Sequence, residues 1–124
     1  MEKNKPSFGH GKICYVEIPA VNIEESVTFY QTVFGWQIRK RPNGEIAFDD
    51  GVGSVSGAWV LKRKPVAETG LLVSIMVDDA AATLDIIVAN GGKILQPIGM
   101  DLPAITAHFS DPVGNIWGIY QHGG

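Results

Sequence analysis

The sequence predicts an α+β fold of two tandem β-α-β-β-β modules, a curved mixed sheet around a concave cavity with the helices outside. Three observations predict it. Residues 48–59 recur as residues 109–120 at an offset of 61, with Phe, Asp, Val and two Gly coinciding and an aromatic meeting an aromatic at Trp59 and Tyr120. Residues 16–22 match residues 73–79 at an offset of 57, and four extra residues in the second copy absorb the difference. Each copy then runs from a β-branched stretch into a helical period and on into three short strand-like runs, so one supersecondary unit is present twice.

The elements follow in order. Residues 13–19 and 71–77 are apolar and β-branched at strand length. Asn22 and Asp79 sit where a helix N-cap belongs, and Glu25 gives Asn22 a capping-box spacing. The first helix places Ile23, Val27, Tyr30 and Val33 or Phe34 on one stripe, and the second places Ala80, Leu84, Ile87 and Val88. Gly35 and Gly91 stop the helices. Strands are expected over about residues 36–41, 45–48 and 54–61, with a turn at Pro42-Asn43-Gly44, and then over 93–98, 104–109 and 116–121. The chain reads as one domain over 1–124, with module one over about 12–61, a linker over 62–69 and module two over about 70–121. One helix covers one face of each four-stranded unit. The other face is left for a pocket lined by alternate strand residues.

Composition sets bounds. Hydrophobic residues make up 45% and charged residues 19% of the 124, a globular balance. A net charge of −3 excludes nucleic acid as an expected partner, because phosphate binding needs a concentrated basic surface. Arg39-Lys40-Arg41 and Lys62-Arg63-Lys64 are short runs beside turns and read as solvated loop ends. The single cysteine, Cys14, excludes an intrachain disulfide and reads as a buried small hydrophobe on the apolar side of the first strand. The polar start, without a secretory signal, and the lack of an apolar run of about 20 residues make a cytoplasmic protein with no membrane partner the expectation.

The double β-α-β-β-β pattern, Phe29-Tyr30 and Phe34-Gly35-Trp36 around the first helix end, and the Asp111-Pro112-Val113-Gly114-Asn115 turn together resemble the vicinal oxygen chelate superfamily of glyoxalases, bleomycin-resistance proteins and extradiol dioxygenases. The resemblance covers the chain from about Lys12 to Gln121. It implies a divalent-metal site in the enzymatic members, with His, Gln or Glu ligands on the first and last strands of both modules. It implies a homodimer as well. Carried onto this chain, the ligand positions are Tyr15, Leu72, Gly57 and Gly118, a set without good donors for a divalent ion. No metal ligand and no cofactor are expected, and a divalent metal would need a non-standard site. His10 and His122 near the chain ends have no ligand spacing between them.

The candidate residues are read from alternation. Tyr15 and Glu17 share one face of the first strand and form the catalytic candidates, Glu17 as a carboxylate whose pKa an enclosed wall would raise. Trp59, Leu72, Ser74, Met76, Tyr120 and His108 are the ligand-binding candidates, with Gly57 and Gly118 lowering the wall beside them. A one-residue uncertainty in register across its hairpin leaves the face of His108 open. Three functions from different classes compete, one of them a scaffold or accessory protein whose cavity is vestigial. Another is a small-molecule-binding protein with an aromatic-lined cavity and no classical metal site, suited to a cationic or aromatic organic ligand. The alternative is a lyase, isomerase or dioxygenase-type enzyme with a non-standard site.

Overall fold

A computed structural model describes residues 9–10, 13–65 and 71–121. His122, Gly11, Lys12 and positions 66–70, which include half of the expected linker, lie outside the described residues. The chain divides into two compact units, Met1–Lys64 and Pro65–Gly124. Each carries one helix and its own four-stranded mixed sheet, so the tandem α+β reading holds.

Unit 1 contains β1 (Tyr15–Pro19), α1 (Ile23–Phe34), β2 (Gln37–Lys40), β3 (Ile46–Asp49) and β4 (Ser56–Val60). The sheet order is β1-β4-β3-β2, with β1 parallel to β4 and the other pairs antiparallel. Asn22 caps α1 by accepting the amide of Glu25 at 3.0 Å, and Glu24 and Glu25 place negative charge at the positive helix end. Gly35 ends the helix in the left-handed conformation at φ 67°, its amide donating to the Gln31 carbonyl. The buried stripe of α1 is Ser26, Phe29 and Tyr30, with Ile23, Val27, Val33 and Phe34 half-buried beside it. Under it lies an aromatic cluster. Tyr30 stacks on Trp36 at 4.8 Å, Trp36 on Phe48 at 4.5 Å, and Trp59 tilts against Phe48 at 4.9 Å.

Unit 2 contains β5 (Ser74–Val77), α2 (Ala80–Ala89), β6 (Lys93–Gln96), β7 (Thr106–Ser110) and β8 (Ile116–Gln121), in the order β5-β8-β7-β6. Asp79 caps α2 through the amide of Ala82. Ala80, Leu84 and Ile87 are buried on Val77, Phe109, Trp117 and Ile119, a mostly aliphatic counterpart of the first core. Val88, expected on that stripe, is exposed because it lies about 100° around the helix from Ile87. The 111–115 turn is structural. The buried Asp111 carboxylate accepts the amides of Val113, Gly114 and Asn115 and the side-chain amide of Asn115 at 2.7–3.0 Å.

The strand pairings change one sequence expectation with consequences for the site. Phe48 pairs with Gly57, but its repeat partner Phe109 pairs with Trp117. The connection before β4 is therefore one residue longer than that before β8, and the last strands correspond at an offset of 60, not 61. Because side chains alternate, a one-residue slip exchanges the faces. Gly118 corresponds to Ala58, Tyr120 to Val60, and Trp59 to the core residue Ile119.

Candidate functional site

Each sheet has one face under its helix and one helix-free face. Residues in register across neighbouring strands share a face. In unit 1, Val16, Ile18, Gly57, Trp59 and Phe48 face α1, while Tyr15, Glu17, Ser56, Ala58, Ala47, Asp49, Gln37 and Arg39 lie on the helix-free side. Tyr15 and Glu17 thus share a face as expected. Trp59 does not join them. It is 2% exposed inside the aromatic cluster, away from the surface on which a ligand would stack. Cys14 precedes β1 and is exposed, so it is not the buried hydrophobe that alternation suggested.

The polar groups on the helix-free face of unit 1 answer one another. Arg39 makes a two-bond contact with Asp49 at 2.8 and 3.0 Å, and Ser56 donates to the same carboxylate at 2.6 Å. Arg63 donates to Glu17 at 2.6 Å. Arg41 follows β2 at one sheet edge, yet donates to the Tyr15 hydroxyl at the other edge at 3.0 Å and lies 5.5 Å over its ring. Such reach requires a strongly coiled sheet. Between these bridges, Glu17, Ala58, Ala47 and Arg39 form one transverse row with two small residues at its centre. Sequence reasoning missed the roles of Arg39, Arg41 and Arg63, whose short basic runs looked like loop ends.

The hydrogen bond from Arg63 holds the Glu17 carboxyl below the ordinary carboxylate range, with further lowering from the charges of Arg63 and Lys62. This is opposite to the raised pKa expected of a general base. A depressed folded-state pKa contributes stability that is present above the unfolded pKa and lost as pH falls through the folded one. The contribution is small for so exposed a pair, so the test is the titration itself. Carboxyl NMR should show Glu17 titrating below an ordinary glutamate, and Arg63→Ala should move it up. A Glu17 that titrates above the ordinary range in the wild-type protein would restore it as a base candidate.

In unit 2 the helix-free face gathers most of the ligand-binding candidates. Ser74 pairs with Gly118, Gly118 with His108 and His108 with Gln96, one row across all four strands. Met76, Tyr120 and Thr106 form the next row, and alternation puts Leu72 on the same side. His108 therefore occupies the helix-free face, which settles the question its sequence context left open. Met76, Leu72 and Tyr120 are 63%, 41% and 40% exposed. The side chains of Ser74, His108, Gln96 and Tyr120 make no hydrogen bond to another described residue. An added Cβ at Gly118 would come within 2.5 Å of the Ser74 hydroxyl and 3.5 Å of Leu72, so this hydroxyl leans over a bare patch of strand.

The corrected register also revises the metal positions that the resemblance implies. They become Tyr15 and Ala58 in unit 1 and Leu72 and Gly118 in unit 2. Only the phenol carries a donor atom, and Arg41 places a positive guanidinium against it. This set does not fit a divalent cation. Among the described residues no group of three or more His, Cys, Asp or Glu could hold a metal ion, and no helix is long and apolar enough to cross a membrane.

Two units of this topology, each with one helix-covered and one helix-free sheet face, define a tandem β-α-β-β-β protein. The match to known proteins is specific: residues 12–119 fit the model of the Glyoxalase/Bleomycin resistance protein/Dioxygenase superfamily, and the chain belongs to that family. It is 32% identical over 127 residues to a glyoxylase-like domain-containing protein of Didymella fabae, covering 89% of this chain and 93% of that one. Among solved structures, it resembles a family enzyme from Burkholderia phytofirmans PsJN, with a TM-score of 0.68, 20% identity and coverage of 90% and 98% of the two chains. It is also similar to TnmS3, an antibiotic-binding protein from Streptomyces sp. CB03234, with a TM-score of 0.69, 21% identity and coverage of 93% and 98%.

Proposed function

We propose that this chain is a small-molecule-binding member of its family that works without the usual metal site, as a cytoplasmic homodimer. One observation carries the reading. The positions where family resemblance puts metal ligands hold a guanidinium-bound phenol, a methyl, an isobutyl group and a hydrogen, while Leu72, Ser74, Met76, His108 and Tyr120 share one solvent-facing sheet surface. An apolar surface with a few unpaired polar groups is the usual composition of a ligand site. The antibiotic-binding TnmS3 supports the reading at the level of fold. An enzymatic site through Tyr15 and Glu17 is the weaker reading, since Arg63 makes the carboxylate a poorer base and Arg41 holds the phenol. The test is a thermal-shift screen of the EDTA-dialysed protein against metabolites and antibiotics. At least one compound should raise the Tm with dose, since a ligand at about a hundred times its Kd adds about 2.7 kcal/mol.

A further inference from the structure

The two helix-free faces differ in a way that their shared ancestry as repeats does not suggest. On unit 1 the principal polar side chains are engaged within the unit: Arg39 with Asp49 and Ser56, Arg63 with Glu17, and Arg41 with Tyr15. Its two central residues, Ala47 and Ala58, are 0% and 2% exposed. On unit 2 the corresponding positions are His108 and Gly118, and the side chains of Ser74, His108, Gln96 and Tyr120 make no hydrogen bond to another described residue. We propose that unit 2 carries the recognition site, and that it takes an uncharged organic molecule with a hydrogen-bonding edge, such as an amide, on an apolar frame. The inference rests on the small-molecule reading above and names its face and ligand class.

The geometry supports both parts. Ser74 and His108 flank Gly118 on its two neighbouring strands, about 9.5 Å apart as two interstrand spacings. Gly118 leaves the strip between them without a side chain. A small planar molecule lying there meets the Ser74 hydroxyl on one side and the His108 imidazole on the other, with Gln96 beyond it. Tyr120 and Met76 supply apolar surface in the adjacent row. Neither row contains an acid, a lysine or an arginine. Among the described residues of unit 2, the fixed charges on this side lie past the two rows: Asp78, two residues beyond Met76, Lys93, paired with Ser110, and Asp101, which accepts from Thr106 at 3.3 Å. A charged ligand centred on Gly118 would give up water without gaining a counter-ion, whereas an uncharged amide exchanges its water for two or three hydrogen bonds.

Three ring compounds of similar size test this by residue-resolved NMR: nicotinamide, benzoate and benzylamine. Nicotinamide should bind most tightly, with the largest backbone amide shifts at Gly118, Ile119 and His108. Ser74→Ala and His108→Ala should each weaken it about threefold to tenfold, the loss of one neutral hydrogen bond, while their otherwise unchanged spectra report an intact fold. Tighter binding of benzoate or benzylamine, or shifts centred on Ala47 and Ala58, would overturn the assignment and leave the small-molecule reading standing. Absence of shifts with all three compounds would also overturn it, and the general reading would then stand or fall on the thermal-shift screen alone.

Discussion

Gly57→Ala should destabilise the protein by about 3 kcal/mol or more, the upper end of overpacking in a closed core. A methyl at this position is driven into the Val16 carbonyl oxygen of the paired strand and to within 2.6 Å of the Phe48 ring. The carbonyl belongs to a parallel ladder and cannot move without breaking it. Phe48 is held by Trp36, stacked at 4.5 Å, and by Trp59, tilted at 4.9 Å. Gly118→Ala meets only the tip of Ser74, which can rotate, so its effect should stay within about 1 kcal/mol. Urea unfolding of the two variants reads this contrast. Equal costs would mean that the two glycines face the same way, contrary to the strand register.

Trp59→Ala should cost about 3–5 kcal/mol, the range for removing a large aromatic from a packed core. The ring touches Tyr30, Trp36 and Phe48, none of them more than 5% exposed. Its indole nitrogen is buried and has no hydrogen-bond partner among the described residues, so Trp59→Phe gives up area but also removes a buried donor without a partner there. That variant should lose about 1 kcal/mol, and the folded protein should bind ligand unchanged. A Trp59→Ala variant of nearly normal stability with impaired ligand binding would return Trp59 to the recognition surface.

These two predictions mark where the sequence was legible and where it was not. Caps and periods are local, so Asn22, Asp79 and the ten elements could be read from neighbouring residues alone. Face assignment for β4 was not local. It depended on whether the turns before β4 and β8 have equal length, and the matching glycines at 57 and 118 made an offset of 61 look natural. One additional residue before β4 reverses the face of every residue after it, which moved Trp59 into the core and left Tyr120 on the surface. Within unit 2, the strand pairing brought Ser74, Met76, His108 and Tyr120 to one face. Cys14 was misjudged because the apolar alternation extends one residue beyond the start of β1. The arginine bridges could not be read at all, because Arg41 reaches Tyr15 only through the coiling of a whole sheet.

The central claim is that the chain binds a small molecule without a metal. A binding isotherm for the strongest compound from the screen, recorded on protein stripped with EDTA and again after addition of zinc, manganese, iron or nickel, tests it most directly. The account predicts the same Kd in every arm and no metal retained at stoichiometric level through dialysis. Binding that vanishes in EDTA and returns with one cation, retained one per chain, would contradict it.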